Sequence, residues 1–241
     1  MEGPEEKNSV ILPVLTTSIE DAKSEEISEE DQHLVQQVER AIEVFFDHVS
    51  RPAAEDMGLE LIVEKENVRV YGRDTSRGFL LRSEWLIAYE PQVFIQFLGD
   101  VDLRLKWDKK MESVHRLKTI PPAYGVYYQT YKKIMLLAQR DLLYVSKTFQ
   151  VGQAWVDVCT SIDLDEVGEK KDIVRMKLYL GGYYVESLQP AVGRMVARVV
   201  CVSECDFGGS VPKAIVKKVS AITIPSYIRE VEEALRRHLT P

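Results

Sequence analysis

Apolar side chains recur every three or four positions at Leu34, Val38, Ala41, Ile42, Phe45 and Phe46, behind Ser28 and the acids Glu29, Glu30 and Asp31. That spacing lays one apolar stripe along a helix over 28–49, with acids at the positive end of its dipole. The period then drops to two. Alternating runs over 59–63, 68–71 and 79–89 predict three antiparallel strands in meander order. Pro91 suits the first turn of a short helix faced by Val93, Phe94, Phe97 and Leu98, and a second short helix carries Leu103, Leu105 and Trp107. Six further strands are expected over 111–119, 125–133, 141–150, 153–164, 173–187 and 195–206. After Gly208, Gly209 and Pro212, helical spacing returns through Ile215, Val219, Ile222, Tyr227, Ile228, Val231 and Leu235, with Pro225 expected to kink this last helix.

The order of elements predicts an α+β chain. About nine antiparallel strands are too many to lie flat and unprotected, so the sheet must curve strongly and bury one face against the long C-terminal helix. A curved sheet gripping a helix leaves an internal cavity.

Charge divides the chain unevenly. Residues 1 to 31 hold ten acids against two lysines, so this stretch carries more than the whole formal charge of −7 and the remainder is close to neutral. A near-neutral body lacks the dense basic face that nucleic acid requires. Residues 1–28, rich in acids, Ser, Thr and Pro, bury too little apolar surface to offset the entropy of ordering, and are expected to form a disordered acidic tail ahead of one domain over 29–241. No apolar run approaches the ~18 residues that cross a bilayer, and no leader pattern opens the chain. Cys159, Cys201 and Cys205 form no zinc-type pairs and fit reduced, buried thiols in a cytoplasmic protein. The histidines His33, His48, His115 and His238 are scattered without metal-ligand spacing, and no nucleophile motif appears, so neither metal, cofactor nor catalytic residue is expected.

Three segments in this order resemble a known family: Arg104-Leu-Lys-Trp107-Asp108, Gln139-Arg140-Asp141-Leu-Leu-Tyr144, and Phe207-Gly208-Gly209-Ser-Val-Pro212. Over about 31–239 the chain resembles the START (steroidogenic acute regulatory-related lipid transfer) domains, most of all their ceramide transfer and phosphatidylcholine transfer branches. The resemblance implies a helix-grip fold, a cavity for one lipid and no catalysis.

It also implies site residues. On spacing alone Arg104 and Asp108 make an ordinary i,i+4 ion pair; the resemblance places them at the inner end of the lipid tunnel beside the headgroup. Trp107 belongs to the tunnel wall or to the core. Gln129 aligns with an amide that ceramide-binding relatives turn toward the lipid, and an amide both donates and accepts. Cys159 and Cys201 stand where those relatives carry Asn and Tyr, and a thiol is a weak hydrogen bonder. Tyr179 aligns with one member of a choline-binding aromatic cage, whose other two positions are Gln129 and Leu142 here; a quaternary ammonium needs several π faces. The apolar segment Lys132, Lys133, Ile134, Met135, Leu136, Leu137 aligns with a membrane-touching loop. Phe45 and Phe46, though flanked by acids, read as core of the first helix.

The expectation is a monomeric, cytoplasmic carrier of one polar membrane lipid, such as phosphatidylcholine or ceramide, that touches membrane surfaces transiently. A lipid-sensing interaction module is the alternative, followed by a cavity enzyme of the wider helix-grip superfamily.

Overall fold

Ser28 starts the first helix, α1 (Glu29–Val49), by accepting from the Asp31 amide at 3.2 Å and donating to the Asp31 carboxylate at 2.8 Å. The structure, a computed structural model, describes residues 27–51, 58–133, 137–188, 195–209 and 211–239. The acidic tail therefore lies outside the described residues up to residue 26. Ile27, counted with that tail in the sequence, packs against the core.

Next come β1 (Glu60–Lys65), β2 (Val68–Asp74) and β3 (Phe79–Ile87), then α2 (Pro91–Gly99) and α3 (Val101–Trp107). The chain continues through β4 (Met111–Ile120), β5 (Tyr124–Tyr131), β6 (Arg140–Val151), β7 (Ala154–Ser161), β8 (Val174–Arg175), β9 (Lys177–Leu188) and β10 (Val196–Asp206) to the terminal α4 (Lys213–Leu239). Nine strands form one sheet in the order β1-β2-β3-β10-β9-β7-β6-β5-β4, all pairs antiparallel. The single strand expected over 173–187 is divided: Val174 and Arg175 pair in parallel with Arg140 and Asp141 of β6, and the sheet strand proper begins at Lys177. Pro225 lies within α4, which runs on to Leu239.

Strict alternation gives this sheet two apolar faces. Along β10, Val200 and Val202 join the cluster built on Leu34, Val38, Ile42 and Phe45, so α1 covers the outer face. Val199 joins the cluster of Trp85, Phe94, Ile228 and Leu235, so α2 and α4 cover the inner face. One residue of register would exchange these sets. The outer layer is fastened by Arg82 of β3, which is fully buried and donates to the carbonyls of His48 at 2.8 Å and Arg51 at 3.1 Å, while its Nε meets Glu84 at 2.7 Å. A cation at these carbonyls also complements the negative end of the α1 dipole.

The seam between α1 and the sheet is tight at Gly182, where an added Cβ would stand 2.7 Å from the Asp157 carbonyl and 2.8 Å from the Phe45 ring. Phe45 is fully buried and Phe46 only partly so. Phe45→Ala should therefore lower unfolding free energy by about 3–5 kcal/mol, the range for a buried aromatic truncation, with Phe46→Ala costing clearly less. Denaturant titration decides the order; equal losses would contradict this packing.

Candidate functional site: a cavity with a polar inner end

Between the inner face of the sheet and α4 lies a cavity of about 410 Å³, a size typical of ligand sites. Its walls are chiefly apolar: Leu81 and Trp85 from β3, Leu142 from β6, Leu178 from β9, and Val219 and Ile224 from α4. At one end it is bordered by Leu137, Ala138, Phe207 and Val211. Arg140 ties these segments together, donating to the Phe207 carbonyl at 2.9 Å and to the Ala138 carbonyl at 2.6 Å. Gly208 follows with φ +65°, and a Cβ there would stand 2.7 Å from the Arg175 carbonyl, so this turn requires glycine.

Arg104 occupies the opposite, inner end. Asp100 positions it by ending α2 and capping α3, its Oδ1 accepting from the amides of Asp102 at 3.0 Å and Leu103 at 2.9 Å. Arg104 then stands one turn into α3. Its Nε lies 3.6 Å from Asp108 Oδ2, too far for a hydrogen bond, and is buried without a hydrogen-bond partner among the described residues. Asp108 itself is 3% exposed and accepts from the Lys110 amide at 3.1 Å. The guanidinium thus has its counter-ion on the Nε side, while Nη1 and Nη2 make no hydrogen bond among the described residues and are not sealed off by packing, an arrangement that a ligand acceptor completes.

Around Arg104 gather Tyr131, Tyr144, Tyr183 and Tyr227. Burial pushes all four phenols above their ordinary range, so they stand as neutral hydroxyls. Gln129 joins two of them: its amide nitrogen donates to Tyr131, and its oxygen accepts from Tyr144 at 3.4 Å. Asp157 enters the same space from β7.

The residues singled out in the sequence separate into groups. Arg104, Gln129, Lys132, Leu137, Cys159 and Cys201 all line the cavity. Asp108 sits behind Arg104 rather than on the cavity wall. Trp107, undecided from sequence, is core: it stacks on Phe97 at 5.6 Å and touches Tyr227 at 5.7 Å. Tyr179 is not on the wall. The pairing of β9 with β10 slips between Glu204 and Cys205, which face Leu180 and Leu178 respectively, and this bulge takes Tyr179 out of the alternation. Its ring instead lies beneath the Arg77 guanidinium at 4.8 Å. Lys133 is exposed, and Ile134, Met135 and Leu136 lie outside the described residues.

Asp157 and the four tyrosines were not selected from sequence, although alternation along β7 already set Asp157 and Cys159 on one face. Among the described residues no helix is long and apolar enough to cross a membrane, and no cluster of His, Cys, Asp or Glu could hold a metal ion.

A family model described as the START domain matches residues 47–240. Ceramide transfer protein from Cricetulus griseus is 20% identical over 214 residues, covering 81% of this chain and 36% of that protein. The chain thus spans about a third of the length of these curated relatives. START domain-containing protein 10 from Homo sapiens is 22% identical over 141 residues, 58% of this chain and 47% of that protein. Among solved structures, human StAR-related lipid transfer protein 5 superposes with a TM-score of 0.77 at 17% identity, covering 86% of this chain and 99% of that chain. Human STARD10 gives 0.68 at 19% identity, covering 78% and 81%. These structural likenesses are of fold.

Burial also governs the thiols of the cavity wall. It pushes Cys201 and Cys205 each up to about 12 and Cys159 well above its ordinary range. Native chain at pH 8 should therefore react with a thiol-specific reagent on the order of a thousandfold more slowly than denatured chain. Rapid native labelling of Cys159 or Cys201, read by peptide mass spectrometry, would show these thiols to be accessible and ionised.

Proposed function

This chain belongs to the START domain family, and from that premise we propose that it carries one polar membrane lipid between membranes without chemically altering it. The observation that carries this reading is Arg104, a cation with unsatisfied donor capacity at the inner end of an otherwise apolar cavity. An apolar wall suits acyl chains, each buried methylene contributing ~0.8 kcal/mol. A hydrogen-bonding headgroup, that of a glycerophospholipid such as phosphatidylcholine or a sphingolipid such as ceramide, meets the polar end. The reading includes no turnover: the thiols are neutral, and a carrier needs only to bind and release. It is of a monomer working in the cytoplasm and touching membranes transiently.

Removing Arg104 leaves Asp108 buried beside no cation, which is itself costly. Arg104→Ala should therefore lose both lipid and stability, whereas the double change Arg104→Met with Asp108→Leu should recover stability and still carry several-fold less lipid per chain. Mass spectrometry of extracted lipid, beside a melting curve, separates the two effects. Normal loading of the double variant would remove Arg104 from the site.

Release requires contact with a membrane, and the segment 132–137 is proposed to make it, with exposed Lys132 and Lys133 facing anionic headgroups. Each lysine near such a surface contributes ~1 kcal/mol. Lys132→Glu with Lys133→Glu should slow transfer to anionic vesicles several-fold while barely changing transfer to neutral ones. An equal rate on both kinds of vesicle would place docking elsewhere.

A further inference from the structure

The inner end of the cavity holds a carboxylate that the carrier reading leaves unused. Asp157 stands at the centre of β7, paired across the sheet with Thr148 of β6 on one side and with Tyr183 of β9 on the other. Its Oδ1 accepts from the Ser146 hydroxyl at 3.0 Å and from the Thr148 hydroxyl at 2.7 Å. Oδ2 accepts no hydrogen bond among the described residues, yet it is not sealed off by packing. The space beside it is the cavity, together with an adjoining recess of about 60 Å³ that Arg104, Tyr144, Tyr183 and Tyr227 also border.

The charges here do not balance. Arg104 already faces Asp108 at 3.6 Å, and Lys110, which also lines the cavity, pairs with Glu230 at 3.3 Å, so with Asp157 ionised this end holds two cations and three carboxylates. Burial raises the pKa of Asp157, against the lowering pull of its two hydroxyl donors and of Arg104. A carboxylate so placed has unmet demand for positive charge. Tyr144, Tyr183 and Tyr227 border the same recess, and an aromatic wall with an acid is a setting that holds an ammonium group.

We infer that Asp157, fixed by Ser146 and Thr148, is a headgroup-selecting residue: it receives the ammonium group of a zwitterionic phospholipid whose phosphate faces Arg104. The inference rests on the cavity being a lipid site and narrows which lipids enter it. Choline and ethanolamine headgroups share this chemistry. A ceramide has no cation to give Asp157. Phosphatidic acid adds negative charge where carboxylates already outnumber cations. The ammonium site is separate from the position of Tyr179, which the β9 bulge removes from the wall.

The test is competitive loading. Full-length chain is equilibrated with vesicles holding equal fractions of phosphatidylcholine, phosphatidylethanolamine, ceramide and phosphatidic acid, then re-isolated and its lipid identified by mass spectrometry. Wild type should enrich one or both ammonium-bearing phospholipids over ceramide and over phosphatidic acid. In Asp157→Asn, which keeps the side-chain shape and loses the charge, the ratio of ammonium-bearing phospholipid to ceramide should fall by about tenfold or more, the worth of a buried charge-assisted contact. Enrichment of ceramide or phosphatidic acid by wild type would overturn the assignment whether or not the variant folds, as would an unchanged ratio in a folded variant. Wild type that takes up no lipid at all would instead overturn the carrier reading on which the assignment rests.

Discussion

A sheet whose two faces are both covered but only one of which is fully packed sets the terms for the rest of this molecule. The side chains of the inner face leave a space of about 410 Å³ between sheet and α4, packing that the fold does without there. The outer face must offset that deficit. It does so with a dense layer of α1 on the sheet, Val38 and Phe45 fully buried, Gly182 admitting the Phe45 ring at contact distance, and Arg82 fastening the end of the helix to β3. The inner face is thereby free to remain unfilled. Any apolar ligand that enters restores missing contacts as well as escaping water, so ligand affinity and stability are linked.

The same low-dielectric interior makes each polar group in the cavity consequential. A buried ion pair with imperfect geometry contributes little to stability and is costly when half is removed. Arg104 and Asp108 fit that description at 3.6 Å without a hydrogen bond, and an aliphatic pair could fill the same volume. What the pair supplies is a guanidinium held in place and left unsatisfied. By contrast, the pair of Arg175 with Asp141 is fully engaged: Nε and Nη2 of Arg175 donate at 2.7 and 3.1 Å, and Tyr128 adds a hydroxyl at 2.8 Å. Both pairs involve a buried Asp, but only in the first is there no hydrogen bond between the partners. The difference separates a group that holds the fold from one available to a ligand.

Most of the architecture was legible in the sequence because it depends on periodicity. The switches between spacings of three or four and of two located the helices and the sheet strands to within a few residues, and the number of strands required a curved sheet over a helix. What escaped was local. The break at Met176 and the slip opposite Glu204 and Cys205 are pairing irregularities with no compositional mark, and together they divide the strand and turn Tyr179 away from the cavity. Trp107 could not be placed because an indole serves core and cavity wall equally well; its stack on Phe97 decides for the core. Asp157 was hidden differently. It lies between Val156 and Val158 in a well-formed strand, where an acid ordinarily marks the solvent face. Here neither face is solvent. With α1 on the outer valines, the acid has to face the cavity.

Polarity along the cavity then orients whatever it holds. Of the β7 side chains, Asp157 borders both the cavity and the inner recess, while Cys159 borders the cavity alone, and along β10 Cys201 and Cys205 continue the wall toward Phe207. Carboxyl oxygen thus gives way to neutral sulfur, a small and weakly polar surface that neither demands a hydrogen bond nor repels a hydrocarbon. At the far end stand Leu137, Phe207 and Val211. An amphipathic ligand placed with its polar end outward would strand Arg104 and Asp157 against hydrocarbon, the costliest arrangement such a cavity offers. The reverse orientation brings the polar end to Arg104 and Asp157 and leaves the apolar chains against Leu178, Val219 and Ile224, so the cavity favours one direction for an amphipathic ligand.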